Sequence, residues 1–260
     1  MTDSDSTPTK VALVTGAGSG IGLATAQRLS ADGYAVAAIG RSAAKLDDAL
    51  ASLVNSDAAV AISADLSDPA RARSAVTECV HRFGRLDVLV NAHGILGTMK
   101  PLRELTDAQV LEAVSTNLLG PVALTAAAAQ YLSSTRGAVV NVVSINALQA
   151  EPCAVPYGIS KSGLLGFTKY AAVELGPAGV RVNAVLPGWV ATPMVREIFE
   201  DEDLVGRPLS TNLAQRPAEP HEIASVIAFL ASEQASFMNG ACVVADGGQV
   251  IALAPLAAAD

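Results

Sequence analysis

Tyr157 and Lys161 stand four residues apart, Tyr157 follows Ser144 by thirteen, and a glycine-rich loop lies upstream at Gly16, Gly20 and Gly22. Side chains at i and i+4 share a helical face, so a helix here aims a phenol and an ammonium the same way. A free phenol has a pKa of about 10, so about a thousandth of it is phenolate at pH 7. Acid–base work near neutral pH asks for a pKa close to 7, a change of roughly 4 kcal/mol. An ammonium about 5 Å away, at an effective dielectric near 20, contributes roughly 3 kcal/mol of that. A neighbouring oxidised nicotinamide, also cationic, adds to it. Ser144 can bond the same substrate oxygen and hold it during proton transfer. The chemistry such a set can do is hydride transfer coupled to proton transfer.

These side chains need a scaffold, and the apolar pattern supplies one. Short apolar runs alternate with longer helix-like stretches from Lys10 onward, as in a parallel sheet covered on both faces. Strands are expected at 11–14, 35–39, 58–63, 86–90, 138–143, 180–186 and 241–245. Helices are expected at 21–32, 43–54, 68–83, 106–117, 120–133 and 157–175. This is an α/β chain of one Rossmann-type domain, a doubly wound parallel sheet of about seven strands. No repeat or linker divides residues 10–260, and residues 1–9 read as a flexible polar tail.

The loop from Thr15 to Gly22 joins the first strand to the first helix. Glycines at Gly16, Gly20 and Gly22 let the backbone turn and approach a pyrophosphate on the helix N-terminus, with Ser19 and Ile21 alongside. The end of the second strand bears on which nicotinamide cofactor fits. An NAD site usually carries Asp or Glu there for the ribose 2′-hydroxyl, but this chain has Gly40, then Arg41 and Ser42. Arg41 offers a charge-assisted partner for a 2′-phosphate. NADP(H) is therefore preferred, with NAD(H) possible.

The order of glycine loop, Asn, Ser, then Tyr and Lys resembles the classical short-chain dehydrogenase/reductase family from about Lys10 to Gly248. The resemblance implies an NAD(P)-dependent oxidoreductase that interconverts a secondary alcohol and a ketone. It implies Asn117, Ser144, Tyr157 and Lys161 as the catalytic set, with Lys161 also bonding the nicotinamide ribose. Asn117 and water would then carry the replacement proton. By itself, Asn117 could equally end a helix before Gly120 and Pro121. Asp65 and Leu66 resemble the family's adenine contact. Asn91-Ala92-His93-Gly94 matches its Asn-Asn-Ala-Gly motif with two departures, and His93 reads as a hydrogen-bonded structural residue. Pro187, Gly188 and Thr192 match the stretch that contacts the nicotinamide carboxamide. Ser19 departs from strongly NADP-selective relatives, which are often basic at that position. The family also implies a homotetramer.

A substrate pocket of mixed character is expected from Ser144, Ile145, Asn146, Leu148, Gln149, Glu151, Cys153, Tyr157, Trp189, Met194 and Val195. That suits a medium-sized, partly apolar small molecule without a strong demand for an anion. Cys153 could line the pocket or simply fill space, and Trp189 could wall the pocket or pack beneath a lid. The charged, Pro/Gly-punctuated stretch at about 189–219 reads either as a surface helix with a loop or as a substrate lid.

Two alternatives keep this fold, reduction of an acyl-carrier-linked 3-oxoacyl group or a catalytically silent dinucleotide sensor. The formal charge of −8 disfavours nucleic acid, an anionic membrane and an acidic carrier protein. Three scattered cysteines, Cys79, Cys153 and Cys242, read as free thiols in a reducing compartment, so a cytoplasmic location is expected. No apolar run of about 18 residues free of polar interruption suggests a membrane span, and no residues stand at metal-ligand spacing.

Overall fold

The structure is a computed structural model, and it describes residues 9–196 and 212–252. Seven parallel strands form one sheet in the order β3-β2-β1-β4-β5-β6-β7. They are β1 Val11–Thr15, β2 Ala35–Gly40, β3 Ala59–Ser63, β4 Val88–Asn91, β5 Ala138–Val142, β6 Arg181–Pro187 and β7 Cys242–Ala245. Strands β1, β4 and β5 are buried at every residue, which is why they read as near-continuous apolar runs rather than alternating ones.

Side chains still alternate between faces. In β1, Val11 and Leu13 join a core layer with α3 (Pro69–Phe83), α5 (Gly120–Thr135) and α6 (Val155–Leu175). Ala12 and Val14 face the opposite layer, formed with α1 (Gly20–Ala31), α2 (Ala43–Ala51) and α7 (Pro220–Ala231). Each fully buried Leu or Ile, such as Leu13, Leu124 or Ile227, contributes about 1.5–3 kcal/mol by leaving water.

Local signals set the helix ends. Asp68 caps α3 through the Ala70 N–H, Pro69 occupies its first turn, and Gly84 closes it at φ +75°. Helix α4 (Asp107–Val114) opens on a reciprocal capping box between Thr106 and Gln109.

Two parts of the architecture depart from the sequence reading. Helix α7 was not anticipated. Helices α4 and α5 are not separated but joined through a π-helical turn at Ser115–Leu119, so Asn117 interrupts a helix rather than ending one. The run Asp107–Thr135 is long and apolar enough, by length and composition, to cross a membrane. Here Ala113, Leu124, Ala128 and Leu132 are buried in the molecule's own interior. Most of the stretch proposed as a lid lies outside the described residues.

The chain winds outward from β1 to β3 in one direction, and from β4 to β7 in the other. That reversal opens a crevice beyond the carboxyl ends of β1 and β4.

Candidate active site

A cleft of about 680 Å³ occupies this crevice. One end is the glycine loop. Gly16 and Gly20 hold φ of +68° and +53°, and a Cβ on Gly22 would run into the Gly16 carbonyl. Ser19 precedes α1 in extended conformation and makes no side-chain capping bond, which leaves the first-turn N–H groups for a ligand's oxygen. Gly40, Arg41, Ser42, Lys45, Asp65 and Leu66 line the same end. Lys45 was missed in the sequence, since a lysine in a helix's first turn carries no distinguishing signal. Ser42 caps α2 by accepting the Lys45 N–H. Asp65 accepts from the Ser67 N–H and hydroxyl, and these bonds with the nearby Arg41 charge hold its carboxyl below the usual range.

The loop after β4 is tied to the glycine loop. Thr15 Oγ1 accepts the N–H groups of Ala92 (2.9 Å) and His93 (3.2 Å) and lies 2.8 Å from His93 Nδ1. His93 is half-buried with its Nε2 unpartnered, and burial with the nearby Lys161 charge pushes its pKa down to about 3, so the imidazole is neutral. The contact with Thr15 fits the structural reading of His93, and the ring also lines the cleft.

Asn91 does not line the cleft. Its Nδ2 donates to Asn141 Oδ1 (2.8 Å), and Asn141 in turn donates to Thr168 Oγ1 (2.9 Å), a buried polar chain from β4 through β5 to α6. Gly94 faces the cleft, where an added Cβ would stand 3.1 Å from Asn117 Oδ1.

Asn117 is fully buried and acts as a clamp. Its amide exchanges bonds with the Ile95 N–H (2.8 Å) and carbonyl (2.9 Å), and donates to Ser160 Oγ (3.0 Å). The π turn is thereby fastened to the β4 loop and to α6.

Ser144, Tyr157 and Lys161 share one wall of the cleft. Ser144 ends the segment after β5 and accepts the Asn146 N–H (3.2 Å). Helix α6 starts two residues before Tyr157, so Tyr157 and Lys161 do lie on one helical face. The Lys161 ammonium sits 5.6 Å from the Tyr157 ring centroid and donates to the Val142 carbonyl at 2.8 Å.

Burial pushes Lys161 down to about 8. It pushes Tyr157 up, while the hydrogen bond from Ser144 pulls the phenol down and the Glu151 charge pushes it further up. The expected lowering of the phenol by Lys161 is not seen here: the phenol is raised, because desolvation disfavours phenolate, and what pulls it down is the hydrogen bond to Ser144.

Pro187, Gly188, Trp189 and Thr192 also line the cleft, with Met194 and Val195. Gly188 lies against Asp246, and Thr192 lies against Gly20, so the loop after β6 closes onto the glycine loop. Asn146 and Cys153 do not line the cleft. They belong to the segment linking Ser144 to Tyr157, in which Cys153 adopts φ +65° and its carbonyl accepts the Lys100 N–H. Among the described residues, no three His, Cys, Asp or Glu side chains are placed to hold a metal ion.

A glycine cradle at an uncapped helix end, opening onto a wall of Ser, Tyr and Lys, fits a dinucleotide with its reactive ring toward Tyr157. Over residues 16–249 the chain matches the family model described as enoyl-(acyl carrier protein) reductase. It is 36% identical over 250 residues to levodione reductase of Leifsonia aquatica, covering 92% of this chain and 94% of that protein. It is 33% identical over 255 residues to L-2,3-butanediol dehydrogenase of Corynebacterium glutamicum, covering 93% and 98%. The fold matches a crystal structure of levodione reductase at a TM-score of 0.89, with 34% identity and 94% and 98% coverage. It matches ElxO with NADP bound at 0.87, with 29% identity and 94% and 99% coverage. The chain belongs to the short-chain dehydrogenase/reductase family. It is an NAD(P)-dependent oxidoreductase acting on the secondary alcohol/ketone pair.

Proposed function

We propose that this enzyme uses NADP(H) in preference to NAD(H), and reduces or forms a medium-sized, partly apolar ketone with Tyr157 as general acid and base. One observation carries the reading: Ser144, Tyr157 and Lys161 meet on one wall of the cleft that begins at the glycine loop. The nicotinamide, when bound, supplies or accepts the hydride. In reduction, Tyr157 Oη gives its proton to the carbonyl oxygen while Ser144 Oγ holds that oxygen by a hydrogen bond. In oxidation, Tyr157 takes the proton back. Lys161 offers the cation that favours phenolate. Asn117 keeps the π turn and α6 in place around Lys161, and with water it provides the path for the replacement proton. Replacing Tyr157 by Phe should lower kcat by about 10²–10⁴-fold while cofactor still binds. Near wild-type turnover would refute the mechanism.

Support for NADP(H) comes from what stands at the end of β2. Gly40 brings no carboxylate to repel a 2′-phosphate, and Arg41 and Lys45 bring two cations to the same end of the cleft. We expect tighter binding of NADPH than of NADH, and a selective loss of NADPH affinity in Arg41→Ala. Fluorescence titration of both cofactors against both proteins checks this, and an NADH preference in the wild type would overturn it.

Reduction of an acyl-carrier-linked ketone is the second reading, favoured by 35% identity over 247 residues to a 3-oxoacyl-(acyl-carrier-protein) reductase of Synechocystis. A net charge of −8 works against docking an acidic carrier, so a free small molecule is the better substrate.

A further inference from the structure

We propose that His93 is a positioning residue, a strut that fixes the glycine loop and the Asn117-bearing π turn relative to each other; this rests on the alcohol/ketone reading above. His93 stands where the Asn-Asn-Ala-Gly motif has alanine, so both contacts of its ring are additions to that motif. At the near end, Thr15 Oγ1 accepts the N–H groups of Ala92 and His93, which occupies both of its lone pairs. Its one proton is left for His93 Nδ1 at 2.8 Å, nearer than the Val90 carbonyl at 3.2 Å. A proton on Nδ1 would find no lone pair to meet. Nδ1 therefore accepts, and the neutral ring carries its proton on Nε2. Thr15 ends β1, and a Cβ on the next residue, Gly16, would stand 3.0 Å from His93 Cα. The ring is thus rooted directly on the glycine loop.

At the far end the ring meets the π turn. Nε2 is buried without a hydrogen bond, and a Cβ on Gly120 would stand 2.9 Å from it and 2.5 Å from the Leu66 carbonyl oxygen. Gly120 follows the turn directly and starts α5, so only a residue without a side chain fits between ring and helix. The two residues after His93 reach the middle of the turn. A Cβ on Gly94 would stand 3.1 Å from Asn117 Oδ1 and 3.6 Å from Lys161 Nζ. Ile95 holds the Asn117 amide through both of its backbone groups. A buried N–H without a partner is rare enough to call for a reason. Spanning the gap between cradle and turn supplies one, because an apolar side chain lacks the acceptor for Thr15 and a smaller one lacks the reach to Gly120.

Each end of the strut can be cut by itself. Thr15→Val removes the hydroxyl that holds Nδ1, and should raise the NADPH and NADH dissociation constants by at least about threefold, with a smaller loss in kcat. Thr15→Ser should restore the affinity. His93→Asn keeps an acceptor for Thr15 but stops short of Gly120. With cyclohexanone and acetophenone as ketones, it should lower kcat by at least about tenfold and change cofactor affinity less. The solvent deuterium isotope effect on kcat should rise with it, because proton delivery beside Asn117 slows. His93→Gln regains the reach and should recover part of that kcat, which separates a shortened strut from a variant that is merely unfolded. Losses of affinity and kcat in the same proportion in Thr15→Val and His93→Asn overturn the proposal, as do a wild-type kcat and isotope effect in His93→Asn. Near wild-type turnover in Tyr157→Phe would instead sink the alcohol/ketone mechanism and leave the affinity comparison standing, since binding needs no turnover.

Discussion

Lys161 shows what the site demands of a single residue. It is 4% exposed, and burial lowers its pKa from 10.5 to about 8. Below pH 8 the folded protein holds a charged ammonium at a desolvation cost that the unfolded chain does not bear. Between about 8 and 10.5 the unfolded chain keeps its proton longer than the folded one, so this residue's contribution to stability rises with pH across that window. We therefore expect Lys161→Met to be more stable than wild type at pH 7, by about 1–3 kcal/mol, while losing turnover. Urea unfolding at pH 7 and pH 10 checks it. The advantage should narrow at the higher pH, and a variant less stable at pH 7 would contradict the assignment. His93 acts with the same sign in a lower pH window. Its pKa falls from 6.5 to about 3, so its stabilising contribution is complete above pH 6.5 and fades as the pH drops toward 3.

At the scale of elements, the tightest constraint is the contact between Gly22 and the Gly16 carbonyl. An added methyl cannot be accommodated without shifting the β1–α1 turn. Gly22→Ala should therefore cost about 1–3 kcal/mol of stability and weaken nucleotide binding. Thermal unfolding and cofactor titration read the two effects, and unchanged values in both would show that the turn yields freely. That glycine was legible in the sequence, as were all seven strands; the central ones were legible because a strand buried on both faces writes itself as an apolar run.

Two other elements were not legible. Helix α7 follows a charged, proline-punctuated stretch that masked its start, and its buried residues Ile223, Ile227 and Leu230 gain meaning only against α1 and the sheet. The π turn has no local signature. Ser115–Leu119 adopts it where Asn117 is held by Ile95 and Ser160, partners 22 and 43 residues away. The cleft residues that were missed, such as Lys45 and Glu112, share this character. Each looks like an ordinary exposed helix residue until the fold places it beside the glycine loop or the π turn.

For the whole molecule, the surface carries apolar groups on two separate sides. Tyr170 and Val173 on α6 are 75% and 74% exposed, and Phe237, Phe229 and Val244 are exposed around α7 and the edge strand β7. Patches of this kind call for a partner, and two distinct ones suit a closed assembly with two-fold axes. Light scattering at micromolar concentration should give a mass near four chains, and a mass near 26.4 kDa would rule the assembly out. Substituting Tyr170 and Val173 by Glu should lower the mass without unfolding the protein, which circular dichroism would monitor.

The sheet order also governs how the chain is made. Strand β1 lies between β2 and β4, yet β4 follows it by more than seventy residues. During synthesis β1 can pair on one flank with β2 as soon as that strand emerges, while the other flank waits for β4. At about 5–20 residues per second the wait is on the order of ten seconds. Throughout that interval the backbone groups on one side of Val11–Thr15 have no strand to bond, and the neighbouring apolar side chains have no complete core. The reversal of strand order that opens the cleft therefore leaves an unpaired, aggregation-prone edge on the nascent chain, which makes early occupancy by a chaperone most valuable before β4 leaves the ribosome.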